Sequence, residues 1–392
     1  MQILRETKME AWEKAQKLGP EGVLKVLEKK GLEGRGGAAY PTAKKWRLAR
    51  KAQGAEKFII CNADEGEPGT FKDRFIIRNN AATMVEGLLI AAYAVGAKKC
   101  FIYLRGEYKE LHAGLEKQVK EVLKKAKSGI EIEIVRGAGA YICGEQTAII
   151  QSIMGFRGCP TYRPPHPTEH GLWGMPTVVN NVETLACAAQ ALLYDDWNAD
   201  LRLFSISGNV QNPGVYELPI GVKMSTLIDL ARPKRKLKAM SFGCFGGIMP
   251  IDENMSLTPE TIGMERCQHG AYSVILIDDS NNVADVSYSI AKFYTYESCG
   301  KCTPCREGTI RVLNLIKKVR RGEATEEDLE TLKDLAGQMQ ETSLCGLGQT
   351  AGNHVLTSLQ HFPKDYAEFM KLKAGEKSKA RKAGAGRGGG RK

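Results

Sequence analysis

Apolar and polar positions follow two different periods along the first half of the chain. Short apolar runs typical of buried strands occupy residues 57–60 and 100–104, and residues 130–135 begin by alternating Ile with Glu. Between these runs, residues 82–95 and 108–126 repeat apolar side chains at helical spacing. Strands that alternate with helices in this way predict a mostly parallel sheet with helices on both faces. Such a sheet binds ligands in the loops beyond its strand ends.

The last third of the chain shows helical periodicity. Thr303 and Pro304 are a suitable N-cap and first helical residue for a helix over residues 303–321. Amphipathic patterns over residues 326–339 and 351–361 predict two further helices. A small helical bundle is therefore expected here.

The first polar loop, residues 34–42, is rich in glycine and is followed by Lys45. Glycines let backbone N–H groups approach a phosphate, a nearby Lys adds charge, and Tyr40 could stack on a ring. The loop lacks the spacing of the usual dinucleotide fingerprint, so an ordinary mobile loop is the alternative.

The second polar loop follows the first predicted strand and carries Asn62, Asp64, Glu65 and Glu67. Side-chain oxygens at a strand end suit hydrogen bonds to ribityl or ribose hydroxyls, or a divalent metal. A solvated acidic turn is the alternative.

Two more loops precede predicted helices. Residues 137–146 enter a helix and would offer free N–H groups to an anion. The pair Asn180 and Asn181 precedes residues 182–193, where the Asn side chains could simply cap the helix.

The chain contains eleven cysteines, of which four suggest one metal centre. Cys299, Cys302 and Cys305 have the two-residue spacing that lets three thiolates bind one iron–sulfur cluster, and Cys345, beside glycines, is the candidate fourth ligand. Zinc sites more often divide their ligands into two close pairs, so a [4Fe-4S] cluster is expected and zinc is the alternative. The single cysteines are expected to behave as small hydrophobic residues.

The net charge of +11 is concentrated at the C-terminus, where residues 373–392 carry eight Lys or Arg and one Glu. This Gly-rich segment is predicted to be a disordered tail that either docks on an acidic partner or RNA or has no function. The rest of the chain shows no basic patch interleaved with aromatic residues, so no nucleic acid is expected. No apolar run is long enough for a signal peptide or a membrane span, which favours a cytoplasmic protein, and a position peripheral to a membrane complex is the alternative.

Together these motifs resemble one family, the NADH-oxidising flavoprotein subunit of respiratory complex I and its soluble relatives in NAD-linked hydrogenases, formate dehydrogenases and bifurcating reductases. The resemblance covers residues 34–362. It is carried, in order, by Gly34-Arg35-Gly36-Gly37, Asn62-Ala63-Asp64-Glu65, Tyr141-Ile142-Cys143-Gly144-Glu145, Gly171-Leu172-Trp173-Gly174, Asn180-Asn181-Val182-Glu183-Thr184 and the cysteine motif over residues 297–308.

The resemblance implies FMN, a [4Fe-4S] cluster and NADH as substrate. NADH would lie over the flavin near Tyr40, with Glu67 as the catalytic residue close to the nicotinamide. Cluster ligation is assigned to Cys299, Cys302, Cys305 and Cys345. The implied cofactor-binding residues are Gly34, Arg35, Gly36, Gly37, Tyr40, Lys45, Asn62, Asp64, Glu65, Tyr141, Gly144, Glu145, Asn180 and Asn181.

The family also implies the domain order and the partners. An FMN- and NADH-binding α/β domain is expected over residues 1–200, a β-grasp-like α+β domain over 201–285, and a helical [4Fe-4S] domain over 286–372, before the basic tail. A nicotinamide gives two electrons as a hydride and a cluster takes one, so a flavin must stand between them. The expected partners are a thioredoxin-like [2Fe-2S] subunit and a terminal hydrogenase, dehydrogenase or reductase subunit.

Four positions depart from the family pattern around the nucleotide. Gln146 stands where the family has a Glu, His166 where it has a Phe, and Leu48 where an aromatic residue is common. Arg163 is an additional cation. A less negative site could admit the 2′-phosphate of NADPH, although NADH is expected. A flavin-free or nucleotide-inactive scaffold in a redox complex is the alternative function.

Overall fold

The computed structural model describes residues 5–370. The basic tail predicted over residues 373–392 lies outside the described residues.

The first half forms a parallel sheet of four strands in the order β3-β2-β1-β4. In β1, Ile59 lies opposite Cys100 of β2 and Val178 of β4. The elements of this part are α1 (Glu10–Lys29), α2 (Thr42–Lys51), β1 (Phe58–Ala63), α3 (Lys72–Val95), β2 (Lys99–Leu104), α4 (Lys109–Ala126), β3 (Glu131–Arg136), α5 (Gln146–Ile153), β4 (Thr177–Asn181) and α6 (Val182–Leu193).

Both faces of β1, β2 and β4 are buried, as the apolar runs over β1 and β2 predict, while β3 is an edge strand with exposed Glu131 and Glu133. Ile59 and Ile102 pack on one face against helices α1, α2, α3, α4 and α6. Phe58, Ile60 and Phe101 point to the other face, where they join α5 and the C-terminal helices in a second hydrophobic core. The predicted α/β architecture with helices on both faces is confirmed.

The middle of the chain forms a mixed sheet of five strands in the order β6-β5-β9-β7-β8. Its central strands β5 and β9 are parallel and the other pairs are antiparallel. This arrangement confirms the expected β-grasp-like α+β fold. The elements are β5 (Leu201–Gly208), β6 (Gly214–Pro219), α7 (Met224–Ala231), β7 (Leu237–Ser241), β8 (Ile248–Pro250), α8 (Pro259–Met264) and β9 (Ser273–Asp278).

The C-terminal part is the predicted helical bundle. Val312 and Ile316 pack against Leu332 and Ala336 in its core. Thr325 begins one of its helices with a capping box, in which its hydroxyl accepts a hydrogen bond from the Asp328 N–H. The helices are α9 (Val283–Glu297), α10 (Thr303–Arg320), α11 (Glu326–Thr342), α12 (Gly346–Thr350) and α13 (Asn353–His361).

Several predicted boundaries were wrong. Helix α3 begins at Lys72 rather than at Ala82, because the polar first turns hide its helical period. Helix α10 is capped by Cys302, so Thr303 is already helical. The helix predicted over residues 351–361 is α13, which begins two residues later, and the short helix α12 before it was not predicted. The limits of independently folding domains stay a prediction.

Within residues 5–370, no helix combines the length and the apolar character needed to cross a bilayer.

Candidate functional site

A cleft of about 840 Å³, including the part open to solvent, lies beyond the carboxyl ends of β1 and β4. This is the position at which a parallel sheet is expected to bind its ligand. The predicted site residues that line the cleft are Gly36, Asn62, Asp64, Glu65, Glu67, Tyr141, Gly144, Glu145 and Asn181.

The remaining residues of the glycine loop lie elsewhere. Gly34, Arg35 and Gly37 line a smaller cavity on the other side of the loop. The buried Arg35 side chain donates from Nη2 to the Ala199 carbonyl oxygen at 2.8 Å. Arg35 therefore holds the glycine loop from the side opposite the cleft. Of the predicted residues of this loop, Gly36 is the one that lines the cleft.

Three further predicted residues lie outside the cleft walls. Lys45 donates from Nζ to the Val179 carbonyl oxygen at 2.6 Å, and burial together with the nearby Arg163 charge lowers its pKa to about 8. The amide oxygen of Asn180 accepts a hydrogen bond from Trp46 Nε1 at 2.8 Å. The Tyr40 side chain is exposed.

The carboxylates of the acidic loop after β1 have different surroundings, and that of Glu65 is taken up by the fold. Glu65 accepts hydrogen bonds from the N–H groups of Asp73 at 2.8 Å and Arg74 at 3.0 Å, and from the Tyr108 hydroxyl at 2.9 Å. Its oxygens hold the start of α3, so Glu65 serves the fold. Burial raises its pKa above the ordinary value.

Asp64 and Glu67 carry the carboxylates that are available to a ligand. Burial raises the pKa of each to about 7. Asp64 Oδ2 is buried and has no hydrogen-bond partner among the described residues. Glu67 Oε1 accepts a hydrogen bond from the Phe245 N–H at 3.1 Å.

The prediction that the third loop offers free N–H groups to an anion was wrong for the two N–H groups that bind Glu145. Its Oε2 accepts hydrogen bonds from the N–H groups of Thr147 at 2.8 Å and Ala148 at 3.0 Å, at the start of α5. The carboxylate thus uses N–H groups that were expected to be free for an anion. Asn181 caps α6, which was the alternative for this residue, since its Oδ1 accepts from the Glu183 N–H at 3.0 Å, and it lines the cleft as well.

The sequence interpretation missed Lys72, which lines the cleft at the start of α3. Its side chain is buried, and Nζ lies 2.7 Å from Asp73 Oδ1 and 2.9 Å from Glu183 Oε2. Burial opposes the charge, but the two carboxylates outweigh it and hold the pKa of Lys72 above its ordinary value. Asp73 also accepts a hydrogen bond from Asn181 Nδ2 at 2.6 Å, so this ion cluster fixes Asn181.

Other cleft residues come from distant parts of the chain. Phe245 and Ala271 belong to loops of the mixed sheet, while Gly346 and Leu347 belong to α12. Local sequence gives no signal for them, because they reach the cleft only through tertiary packing.

The cleft fits FMN on two counts. Two glycines stand where neighbouring parts of the cleft wall pack closely together. A Cβ on Gly66 would lie 3.0 Å from Tyr141 Cδ2, and a Cβ on Gly144 would lie 3.3 Å from the Asp64 carbonyl oxygen. The unpartnered Asp64 Oδ2 is an acceptor suited to a hydroxyl group.

Cys299, Cys302, Cys305 and Cys345 line a second, smaller cavity of about 250 Å³. Here as elsewhere, the described residues offer no group of three His, Cys, Asp or Glu side chains arranged to hold a single metal ion. The four thiols line one cavity, as the ligands of a single [4Fe-4S] cluster would.

Cys159, interpreted from the sequence as an isolated cysteine, belongs to the surroundings of this cavity. Burial raises the pKa of Cys299, and the neighbouring Cys159 thiol raises it further. Arg157 Nη2 donates to the Cys299 carbonyl oxygen at 2.7 Å, and Lys301 Nζ donates to the Pro160 carbonyl oxygen at 2.6 Å. These two hydrogen bonds therefore join residues 157–160, which follow α5, to the cysteine loop.

Comparison with known proteins agrees with both sites. Residues 27–190 match the family described as the Nuo51 FMN-binding domain, and residues 285–369 match the NADH-ubiquinone oxidoreductase-F iron-sulfur binding region. An NADH-quinone oxidoreductase subunit of Aquifex aeolicus is 39% identical over 399 residues, which cover 95% of this chain and 92% of that protein. The chain belongs to this family of NADH-quinone oxidoreductase flavoprotein subunits. The resemblance seen in the sequence, and the FMN and [4Fe-4S] cofactors it implied, are thereby confirmed.

The family extends to hydrogenases. The NAD-reducing hydrogenase HoxS subunit alpha of Cupriavidus necator is 36% identical over 89% of this chain and 60% of its own length. The crystal structure of an NAD+-reducing [NiFe]-hydrogenase in the H2-reduced state has a TM-score of 0.84 and 37% identity, over 92% of this chain and 64% of that chain. This chain thus spans under two thirds of those hydrogenase chains.

Proposed function

We propose that this member of the flavoprotein subunit family is the electron-input subunit of a multi-subunit oxidoreductase. It exchanges a hydride between NADH and FMN in the cleft and passes single electrons to a [4Fe-4S] cluster held by Cys299, Cys302, Cys305 and Cys345. FMN supplies the chemistry, because a bound flavin can take a hydride and release electrons one at a time.

The observation that supports this function is that the flavin cleft and the cysteine cavity share part of their lining. Ile142 and Leu347 line both the flavin cleft and the cysteine cavity. The two sites are therefore separated there by single side chains. The loop that carries Ile142 is also tied to the cluster side, since the Tyr141 N–H donates to Glu297 Oε2 at 2.9 Å.

The protein's own contribution is to position and shield the cofactor. Asn62 Nδ2 donates to the Gly144 carbonyl oxygen at 2.8 Å, which joins two walls of the cleft. Asn181 is held by Asp73 and Lys72 against Gly36. In this proposal Asn62, Asp64, Gly144 and Asn181 bind the flavin, and Glu67 lies beside the nicotinamide.

NADH is the proposed nucleotide. Asp64 and Glu67 both line the cleft, and carboxylates at close range disfavour an added 2′-phosphate. Gln146 is the first residue of α5 and lies outside the cleft walls, so the loss of a carboxylate there leaves these two in place. Arg163 lies beside Lys45, also outside the walls.

The proposed partners are a thioredoxin-like [2Fe-2S] subunit and a terminal hydrogenase, dehydrogenase or reductase subunit. The relatives named as quinone oxidoreductase and hydrogenase subunits support a place in such an assembly. Mass spectrometry of proteins that co-purify with the full chain would identify the acceptor.

The test is anaerobic reduction of the purified protein by NADH and NADPH at equal concentration. We expect NADH to bleach the flavin faster and to reduce the cluster, as seen by electron paramagnetic resonance. Faster bleaching by NADPH would overturn the choice of nucleotide, and bleaching by neither would support the scaffold alternative.

A cysteine variant tests the cluster assignment separately. Cys302→Ser should lose the iron and the reduced-cluster resonance while it keeps FMN, because none of the four cysteines lines the flavin cleft. Cys187→Ala is the control, since Cys187 is buried in α6, away from the cysteine cavity. Full iron content in Cys302→Ser would contradict the assignment.

A further inference from the structure

Ser298 directly precedes the cysteine motif and lines the cysteine cavity. It is the C-cap of α9, and its Oγ lies 3.2 Å from Cys305 Sγ in the first turn of α10. The same oxygen accepts a hydrogen bond from the Gly300 N–H at 3.3 Å. The hydroxyl group is thus fixed between the backbone of the cysteine loop and one candidate ligand sulfur.

The direction of the Ser298–Cys305 hydrogen bond follows from counting protons. A serine hydroxyl has one proton to donate, and its oxygen already accepts from Gly300. A cysteine sulfur that binds iron is a thiolate without a proton. In the cluster-loaded protein, Ser298 must therefore be the donor and Cys305 Sγ the acceptor.

We propose that Ser298 sets the reduction potential of the cluster by donating this hydrogen bond. The inference rests on the proposed ligation by Cys305. Reduction adds negative charge to the cluster and its thiolates, and a donor aimed at a ligand sulfur stabilises the reduced form more than the oxidised form. The hydroxyl group of Ser298 thus makes the cluster a better electron acceptor.

Nearby cations act less directly on the sulfurs. Lys301 Nζ is bound to the Pro160 carbonyl oxygen, and Arg306 Nη1 donates to the Gly300 carbonyl oxygen at 3.0 Å. Both side chains are exposed, so solvent and salt screen their charge. Ser298, half-buried, contacts a sulfur atom itself.

The experiment is a redox titration of the anaerobically purified full chain, with the midpoint of the cluster read by electron paramagnetic resonance. Ser298→Ala and Ser298→Gly remove the hydroxyl, and Ser298→Thr keeps it. We expect the first two to lower the equilibrium constant for one-electron reduction by roughly tenfold, which is about 59 mV, and Thr to stay near the unchanged protein.

Ser289→Ala is the matched control, because the Ser289 hydroxyl, also on α9, donates to the Asp285 carbonyl oxygen and is exposed. An unchanged midpoint in Ser298→Ala with full iron content would overturn the proposal, and the Gly variant decides if the Ala variant does not fold. Loss of iron in both would make Ser298 a structural residue and overturn it as well. Cys305→Ser with full iron would instead show that the ligand assignment has failed.

Discussion

The backbone N–H of Phe245 donates a hydrogen bond to the Glu67 carboxylate at 3.1 Å. Glu67 follows β1 of the parallel sheet, whereas Phe245 lies between β7 and β8 of the mixed sheet. The mixed sheet therefore closes one side of the flavin cleft, a role that its sequence did not indicate.

Gly243 makes this contact possible. Its φ is +58°, and a Cβ there would lie 2.3 Å from Glu67 Oε1. Gly243→Ala should displace the Glu67 carboxylate and strain the loop, and a cost of about 1–3 kcal/mol is typical of such strain. We expect a lower thermal unfolding midpoint and slower flavin bleaching by NADH.

Gly263→Ala is the control for this variant, because the described residues leave open space around Gly263 in α8. Alanine favours the helix there, so stability should stay equal or rise slightly. A Gly243→Ala protein with normal stability and normal bleaching would show that the loop adjusts without cost.

Gly36→Val should abolish FMN retention. A Cβ at Gly36 would lie 3.3 Å from Asn181 Cβ, and the two added methyl groups would enter the cleft that Gly36 lines. The ratio of flavin to protein after gel filtration measures the effect. Gly114→Val, at an open position on α4, should keep its flavin. Normal flavin content in a folded Gly36→Val protein would remove Gly36 from the site.

Lys72→Met should destabilise the flavin-free protein by about 3–5 kcal/mol, because it leaves Asp73 and Glu183 buried without their cation. Denaturant unfolding measures this change. Lys117→Met should have little effect, since the Lys117 side chain is 74% exposed. Equal stability of the two variants would mean that the buried ion cluster contributes nothing to folding.

The pH dependence of stability has a definite sign. The pKa values of Asp64 and Glu67 are raised to about 7 in the folded chain, so the folded state retains protons that the unfolded state has lost. Their contribution is fully present below the ordinary carboxyl pKa and is lost as the pH rises through about 7. The unfolding midpoint of the flavin-free protein should therefore fall between about pH 5 and about pH 8.

Glu67→Gln should flatten this decline, whereas Glu116→Gln should leave it unchanged, because Glu116 is half-exposed and its hydrogen bond with Lys120 lowers its pKa, away from this pH range. A midpoint that stays constant or rises over this pH range would contradict the raised pKa values of the two carboxylates.

Sequence patterns predicted three of the four strands of the parallel sheet, because β1 and β2 are apolar on both faces and β3 alternates Ile with Glu, whereas β4 was not predicted. They could not separate Glu65 from Asp64, since both are acidic residues of one loop. Only packing shows that Glu65 holds the start of α3 while Asp64 Oδ2 is left without a partner among the described residues.

The cysteine spacing likewise predicted that Cys299, Cys302 and Cys305 share one cavity, since their spacing is a local property, and the glycines beside Cys345 indicated the fourth thiol. The wall formed by Ile142 and Leu347 was not predictable, because these residues lie far apart in the chain and meet only in the fold.

The cleft is lined by Asn62 of the parallel sheet, Phe245 of the mixed sheet and Leu347 of the helical bundle. A ligand in this position binds only when all three are assembled, so its binding free energy adds to the stability of the assembled chain. At a hundred times its dissociation constant, FMN would add about 2.7 kcal/mol. The supply of flavin in the cell would then govern how much folded subunit survives proteolysis.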